Sequence, residues 1–337
     1  MKHSSAFLVS FAFFLLFIIS GTLLVVDWIR FLNTPLIPKN THIDYILPTG
    51  ASVRVLSNDL DHLGLLNHPK YFEVLAYLKG YARHLHAGEY RFESGETAED
   101  ILKQISEGRV LWRKITFIEG WTFSQMMSLI DSNPLIVHDL GGLPPTMMML
   151  NLKLPYIQPE GLFFPDTYRY TAGMSDKSIL LQAYQIQQKH LSHEWENRAK
   201  NLPYQTPYEA LIAASIIEKE AHIESERAEI AGVIVRRLEK KMPLQMDPTV
   251  IYAMEEKGED FKPPLRRESL KIDSLYNTYL YTGLPPTPIC MPSLASLHAA
   301  LHPSSGDALY FVARGNGTHQ FSATFQEHKA AIQKYEH

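Results

Sequence analysis

The chain has 337 residues, of which 45% are hydrophobic and 20% charged, so it can bury a core and is long enough for two folded units after a membrane segment. Its formal net charge of −4, without a strongly basic run, argues against a nucleic-acid-binding protein. Cys290 is the only cysteine, which excludes an intramolecular disulfide. We predict that its thiol is a small buried hydrophobe and not a nucleophile, because no paired base is recognisable.

The stretch from Ala6 to Val26 contains no charged residue and predicts a transmembrane helix. As an α-helix it spans roughly 30 Å, the thickness of the hydrocarbon core of a bilayer. It is longer than the apolar core of a secretory signal, and no convincing cleavage site follows it. Lys2 precedes the stretch, so we expect a cytoplasmic tail over residues 1–5, a span over 6–26, a linker over 27–42 and the rest of the chain across the membrane.

Three later segments share one pattern: YILPTGASVRVLSNDL from Tyr45, YRFESGETAEDILKQI from Tyr90 and ITFIEGWTFSQMMSLI from Ile115. Each has an extended start, a glycine at the sixth place, a hydroxyl residue at the eighth and then a helical apolar pattern. The glycines are Gly50, Gly95 and Gly120, and the hydroxyl residues are Ser52, Thr97 and Thr122. Glycine permits a tight turn and a hydroxyl caps a helix start, so the repeated unit is predicted to be strand, turn and capped helix.

A further helix is predicted at NHPKYFEVLAYLKGYARHLH, between the first two of these units. The arrangement over residues 43–150 resembles LysM-type modules, which bind polymers that contain N-acetylglucosamine. A spacer that binds no ligand is an equally good interpretation.

Residues 151–337 are predicted to form a mainly helical domain with a small β element, which makes the whole chain α+β. The segment YIQPEGLFFPDTYRY is predicted to be irregular, and helices are predicted at SDKSILLQAYQIQQKHLSHEWENRA, PYEALIAASIIEKEA, SERAEIAGVIVRRLEKK and SLASLHAALHP. Ser225 is expected to cap the third of these helices. ALYFVARGNGTHQFSAT predicts a β-hairpin, because two apolar runs flank a glycine-rich turn.

The stretch ASIIEKEAHIESERAEI contains five carboxylates, and helical geometry separates two of them. At about 100° per residue, Glu220 lies within an apolar stripe that includes Ile216 and Ile217, whereas Glu218 points in nearly the opposite direction. Lost hydration raises the pKa of a carboxyl group and keeps it protonated near neutral pH, as a general acid requires. The competing interpretation is a helix that ends at Glu220 and leaves its last turn in water.

The segment ASIIEKEAHIESERAEIAGVIVRRLEKKMPLQMDPTVIYA resembles the YceG-like endolytic murein transglycosylases, which are membrane-anchored enzymes that cut peptidoglycan strands. EGLFFPDTY, YNTYLYTGLPPTPI and HQFSAT are similar to further motifs of that family, in the same order. The anchor and the LysM-like region also match its layout. The resemblance therefore covers nearly the whole chain.

By motif position, the resemblance places the catalytic acid at Glu220. It implies cleavage of the β-1,4 bond between N-acetylmuramic acid and N-acetylglucosamine in nascent strands, with formation of 1,6-anhydro ends and an end to strand elongation. One carboxyl group serves as acid and then as base, and no metal or organic cofactor is implied. The resemblance also implies a place in the cell inner membrane with a periplasmic catalytic domain, and peptidoglycan synthases of the elongation and division machinery as partners.

Five residues within these motifs are candidate sugar contacts because their side chains can bond hydroxyl and acetamido groups or stack on sugar rings. They are Gln245, Asp247, Tyr252, Asn277 and Tyr279. Each has a structural alternative: Asp247 precedes a proline and suits a turn, and Tyr252 can be a packed core residue.

Two departures from the family pattern, Arg236 and Lys329, replace asparagines, so subsite details can differ here. Arg237 either pairs with an acid such as Glu218 or is an exposed helix residue.

Three other functions compete with this assignment. A muramidase-type hydrolase would use Asp247 or Glu224 as a second carboxylate, and its products would carry reducing ends. A non-catalytic, membrane-tethered glycan-binding scaffold would tolerate Glu220→Gln. A zinc hydrolase is the weakest alternative, because the 15 histidines show no His-Glu-x-x-His or similar ligand spacing.

Overall fold

The computed structural model describes residues 2–259 and 261–335, with side chains from residue 11 onward. Met1, part of the expected cytoplasmic tail, and residues 336–337 at the end of the expected catalytic domain lie outside the described residues, as do the side chains of residues 6–10 of the expected span. The chain combines helices with two-stranded sheets, and it begins with one long apolar helix. It divides into two compact units.

Helix α1 runs from Lys2–Asn33, and its segment Phe11–Asn33 is long and apolar enough to cross a membrane. It extends past the predicted end at Val26, so the first seven residues of the expected linker, 27–33, are helical. The reason is packing, because the Trp28 and Phe31 rings lie 5.3 and 5.6 Å from the Tyr71 ring, and Phe31 is buried.

The first unit comprises residues 1–113, 135–137 and 169–174. After α1 come β1 (Ile43–Leu47), α2 (Val53–His62), α3 (Pro69–Leu78), β2 (Gly88–Phe92) and α4 (Ala98–Ser106). Strands β1 and β2 pair antiparallel, with Tyr45 opposite Tyr90. Their inward rings and the apolar faces of the helices form one core, which includes Leu56, Phe72 and Ile101.

The predicted strand, turn and capped helix unit is confirmed at all three places. The third copy comprises β3 (Arg113–Thr116) and α5 (Phe123–Asp131). Each glycine has a positive φ: 78° at Gly50, 89° at Gly95 and 76° at Gly120. Each hydroxyl accepts from the backbone N–H three residues on, and Thr97 and Thr122 also form capping boxes with Asp100 and Gln125.

The second unit comprises residues 114–134, 138–168 and 175–337. Its further elements are α6 (Pro145–Leu152), β4 (Thr167–Tyr170), α7 (Asp176–Glu196), α8 (Pro207–Glu220), α9 (Arg227–Glu239), α10 (Asp247–Glu256), α11 (Leu294–Leu301), β5 (Tyr310–Ala313), β6 (His319–Ser322) and α12 (Phe325–Tyr335). The chain passes between the two units five times, and two of these passages lie within β3 and β4. The predicted hairpin is confirmed, with Phe311 of β5 opposite Phe321 of β6.

Helix α8 is the centre of the second unit. All residues from Ala210 to Ile217 are buried, because α7, α9, α10 and α11 all pack against this helix. Ala and Ile make up six of the eight residues in this buried stretch, which lets neighbouring helices approach from every side. The two acids of its last turn, Glu218 and Glu220, therefore emerge from a rigid, dry support.

Two local predictions are wrong. Ser225 does not cap α9, because the chain forms a 3-10 turn over Glu224–Glu226 and Glu226 occupies the N-cap position without a side-chain cap. Part of the segment predicted to be irregular forms strand β4. Directly before this strand, the Asp166 carbonyl accepts a backbone hydrogen bond from the Phe117 N–H. The free thiol of Cys290 is buried as predicted, and burial raises its pKa well above the ordinary value.

Candidate active site

A cleft of about 430 Å³ opens beside the carboxyl end of α8, entirely within the second unit. Glu220 lies on its wall, facing the segment before α10 and the β5–β6 hairpin. The other lining residues are Arg237, Leu244, Gln245, Met246, Asp247, Tyr279, Tyr310, Phe311, Val312, Ala313, His319, Phe325, His328 and Ile332. Charged and hydrogen-bonding side chains are thus as prominent in this lining as apolar ones, so the cleft can bond a polar ligand and stack on its rings.

Protein surrounds the carboxyl group of Glu220, although the residue keeps some exposed surface at the cleft. Loss of hydration, followed by repulsion from Asp247, raises its pKa to about 8. Within residues 2–259 and 261–335 the carboxyl has no hydrogen-bond or ion-pair partner. Helix α8 does end at Glu220, as the competing interpretation held, but its last turn leads into a cleft and not into open water.

Glu218 has a different role from Glu220. Its carboxylate accepts from the N–H and the hydroxyl of Ser293, the N-cap of α11, and lies 3.9 Å from Arg227. Glu218 therefore joins α8 to α11 and does not pair with Arg237. Glu218 and Glu220 point in nearly opposite directions from the last turn of α8, as the helical geometry predicts, so their surroundings differ.

Arg237 is buried and orders the floor of the cleft. Its guanidinium donates to the carbonyls of Leu309, Pro243 and Leu244 at 2.7, 3.0 and 2.7 Å. A weaker bond of 3.3 Å reaches the Gln245 side chain. Gln245 itself has a φ of +53°, a conformation that a non-glycine residue adopts only when its surroundings enforce it. This backbone presents the exposed Gln245 side chain to the cleft.

Asn277 is fully buried and does not face the cleft, contrary to the sequence prediction. Its amide donates to the carbonyls of Leu270 and Ile272 and accepts from the Tyr279 N–H at 3.0 Å. Both the amide nitrogen and the amide oxygen of Asn277 therefore bond the backbone of its own loop. The loop in turn places the Tyr279 hydroxyl 2.5 Å from Asp247, and both of these predicted residues do line the cleft.

Tyr252 also lies away from Glu220. Its hydroxyl donates to Glu160 at 3.3 Å, in a separate cavity formed by α5, α6 and α10. Burial raises the pKa of Glu160 to about 8, and bonds from the Phe123 N–H and Tyr252 moderate that rise. For Tyr252 the structure therefore supports the alternative role, a packed core residue.

His319 is a cleft residue that the sequence analysis did not select, although it begins the HQFSAT motif. Its Nδ1 lies 2.7 Å from Glu226, which also accepts from the His319 N–H at 2.9 Å. Glu226 belongs to the same acidic stretch as Glu220, so one segment supplies both a cleft acid and the support of a cleft histidine. Their separation by 93 residues hides this pair from sequence inspection.

The two departures from the family pattern lie outside the cleft lining. Arg236 donates to the carbonyls of Ala308 and Ser304, and the Lys329 ammonium lies 6.0 Å from the Phe325 ring. Glu224, the alternative second carboxylate, is exposed and is likewise not part of the cleft. Asp247 is the only carboxylate besides Glu220 among the residues that line it.

Comparison with known proteins gives consistent matches. The sequence pattern of the YceG-like family matches residues 45–334. The Endolytic murein transglycosylase of Bacillus subtilis (strain 168) is 31% identical over 317 residues, which cover 88% of this chain and 86% of that protein. The protein of the same name from Streptococcus pneumoniae serotype 2 is 27% identical in an alignment that covers 93% of this chain and 62% of that protein.

A solved structure extends these matches to the fold. The 2.6 Å crystal structure of a yceG-like protein from Listeria monocytogenes aligns with a TM-score of 0.54 at 29% identity. The alignment covers 86% of this chain and 99% of that one.

Proposed function

The chain belongs to the YceG-like family, and we propose that it is an endolytic murein transglycosylase with Glu220 as its catalytic acid and base. The position of one carboxyl group carries this proposal. Glu220 lies on the wall of a cleft, has no partner among the described residues and has a pKa of about 8. It therefore holds a proton at neutral pH and keeps it available for a ligand.

In the proposed reaction, Glu220 donates its proton to the oxygen that joins N-acetylmuramic acid to N-acetylglucosamine, and the bond from the muramic C1 to that oxygen breaks. The C6 hydroxyl of the muramic residue then bonds to C1 and gives its proton to the ionised Glu220. The strand ends in a 1,6-anhydro ring, no water is consumed, and Glu220 is protonated again. One carboxyl group suffices, whereas hydrolytic glycosidases use two.

Three of the five predicted sugar contacts keep that role in the proposal: Gln245, Asp247 and Tyr279. Their amide, carboxylate and hydroxyl groups line the cleft and can bond acetamido and hydroxyl groups of a glycan. Tyr252 and Asn277 act as structural residues instead. Asp247 has a second effect, because its charge helps to keep Glu220 protonated.

The test is digestion of purified peptidoglycan by the full-length protein in detergent micelles, with mass analysis of the new ends. We expect 1,6-anhydro ends from the wild type and a loss of about a thousand-fold in rate for Glu220→Gln. Glu224→Gln is the matched control, since Glu224 is close in sequence but outside the cleft, and it should cleave normally. Undiminished cleavage by Glu220→Gln would contradict the assignment and favour a non-catalytic role for this site.

A muramidase-type hydrolase remains the second candidate, because Asp247 shares the cleft with Glu220. Reducing ends in the same digestion would favour it. That mechanism also needs the second carboxylate for the chemical step, so Asp247→Asn would abolish cleavage, whereas a transglycosylase would retain a measurable rate.

For the first unit we propose a LysM-like, glycan-binding role. The order β1, α2, α3, β2 with an antiparallel strand pair supports it. Tyr77 and Trp112 are exposed aromatic rings in this unit, and such rings stack on sugars. Replacing both by alanine in the Glu220→Gln protein should lower the fraction that sediments with peptidoglycan, and unchanged sedimentation would indicate a spacer.

We further propose that α1 anchors the protein in the cell inner membrane with the amino terminus cytoplasmic and the catalytic domain, residues 151–337, periplasmic. The long apolar helix and the murein substrate support this location. A carboxyl-terminal alkaline phosphatase fusion should be active and a fluorescent protein fusion dark, and the reverse result would invert the orientation. Cross-linking in cells would test the proposed proximity to peptidoglycan synthases.

A further inference from the structure

A cluster of metal-binding side chains lies at the ends of two helices in the second unit. It consists of Glu194 in the last turn of α7, His298 near the end of α11 and His302 directly after α11. One ligand atom from each lies within 4.8 Å of the other two. None of the three lines the cleft that contains Glu220.

We propose that Glu194, His298 and His302 bind a zinc ion that joins α7 to α11. His298 and His302 are four residues apart, so the sequence does contain one histidine pair at ligand spacing, contrary to the expectation from the sequence. Both imidazoles lie on one side of the helix end, and their ring centroids are 4.3 Å apart. Two imidazoles and one carboxylate form a donor set that zinc prefers over calcium or magnesium. Water would complete a tetrahedral site.

Two of the three donors are already in contact before any ion binds. Glu194 is buried, and its carboxylate lies 2.7 Å from His298 Nδ1. The Ala199 N–H donates to the Leu301 carbonyl at 2.9 Å and so fixes the chain after α7 against the end of α11. Donors around tetrahedral zinc are roughly 3.3 Å apart, so the His298 to Glu194 contact must widen by about 0.6 Å, which side-chain rotation can supply.

A zinc ion here would have a structural effect on α11. The opposite end of that helix is attached through Ser293 to Glu218, two residues from Glu220. The ion would therefore tie α7 to the helix that supports the catalytic turn, while the chemistry of glycan cleavage would not use it. Metal binding to the folded state would raise thermal stability.

The test uses full-length protein in detergent, purified without a polyhistidine tag and stripped of metal by chelator. Competition with a chromophoric chelator should show one zinc ion bound at micromolar affinity or tighter. His298→Ala and His302→Ala should each weaken that affinity by about a hundred-fold or more, and Glu194→Gln should also weaken it. His84→Ala is the control, since His84 is an exposed histidine outside the cluster.

Two further measurements separate a lost ligand from a lost fold. Each metal-free variant should keep a cooperative thermal transition, and zinc at a hundred-fold excess over the wild-type dissociation constant should raise only the wild-type melting temperature, by about 5 °C. Cobalt substituted into the wild type should give the intense visible absorption of a tetrahedral site. Wild-type affinity weaker than about 100 μM, or equal affinity in His298→Ala, would overturn the proposal, while glycan cleavage would be unaffected by either result.

Discussion

At the scale of single residues, two carboxyl groups of the second unit have the same raised pKa, but their hydrogen bonding differs. Glu160 and Glu220 both reach a pKa of about 8 through burial. Glu160 accepts hydrogen bonds from the Phe123 N–H and from Tyr252, so its carboxyl is fully engaged. Glu220 lines the larger cleft, and its carboxyl has no such partner among the described residues. A perturbed pKa therefore identifies a candidate acid only where the carboxyl is not already engaged by the protein.

The pKa of Glu220 predicts the pH dependence of the proposed reaction. An acid must hold its proton, so kcat/KM should be maintained below pH 8 and fall about tenfold per pH unit above it. Asp247→Asn removes a charge that raises this pKa, and should move the fall to lower pH. A pH profile of peptidoglycan cleavage measures this, with Glu224→Gln as the unshifted control. An unchanged profile in Asp247→Asn would contradict the coupling.

At the scale of elements, one loop determines whether Tyr279 and Asp247 face Glu220. Asn277 holds this loop through three backbone hydrogen bonds, and the Gln245 N–H donates to the Thr278 carbonyl at 3.0 Å. The segment before α10 and the loop therefore order one another.

Asn277→Ala should lower the free energy of unfolding by about 2 to 3 kcal/mol, because three partly buried backbone groups lose their partner. Its cleavage activity should fall as well, since Tyr279 loses its support. Thermal melting and a cleavage assay measure both effects. Tyr279→Phe removes only the hydroxyl that contacts Asp247, and we expect it to alter KM while leaving the melting temperature nearly unchanged.

The capping box of α5 provides a second prediction at this scale. Thr122→Ala deletes the side chain that accepts from the Gln125 N–H and should lower the free energy of unfolding by about 1 kcal/mol. Ser128→Ala, in the middle of the same helix, is the control and should be close to neutral. Chemical denaturation of the two variants measures the difference, and equal stability would indicate that the cap contributes nothing.

At the scale of the whole molecule, buried acids make the stability of the second unit depend on pH. Glu160 and Glu220 stay protonated in the folded state up to a pKa of about 8, whereas glutamates in the unfolded chain ionise near their ordinary pKa of 4.5. The unfolded state then binds fewer protons than the folded state between these values, so stability falls as pH rises from about 5 to 8.

Glu160→Gln should remove part of that fall. Between low pH and pH 8, its free energy of unfolding should decrease by on the order of 2 to 3 kcal/mol less than that of the wild type. Since the chain has two units, hydrogen exchange of the α8 amides is the suitable measurement, because it reports on the second unit alone. Parallel pH curves for the two proteins would show that Glu160 does not cause the effect.

Local patterns predict much of this fold. Apolar length predicts α1, glycine and hydroxyl spacing predicts three capped helices, and alternation predicts the β5–β6 hairpin. Three helices are not predicted from the sequence: α6, α10 and α12. Helix α10 begins with Asp247 and Pro248, a pair that suits a turn. Helix α6 is short and rich in methionine, and α12 buries little of its surface, so neither has a clear apolar period.

The sequence by itself determined which helix carries Glu220 and that Glu218 points elsewhere, because both follow from the angle per residue within one helix. Only the tertiary structure decided which residues meet Glu220. It brings Gln245, Asp247 and Tyr279 to the cleft, turns Asn277 and Tyr252 into supports, and adds His319. The physical reason is that sequence spacing fixes directions within one element, whereas convergence of side chains depends on how separate elements pack.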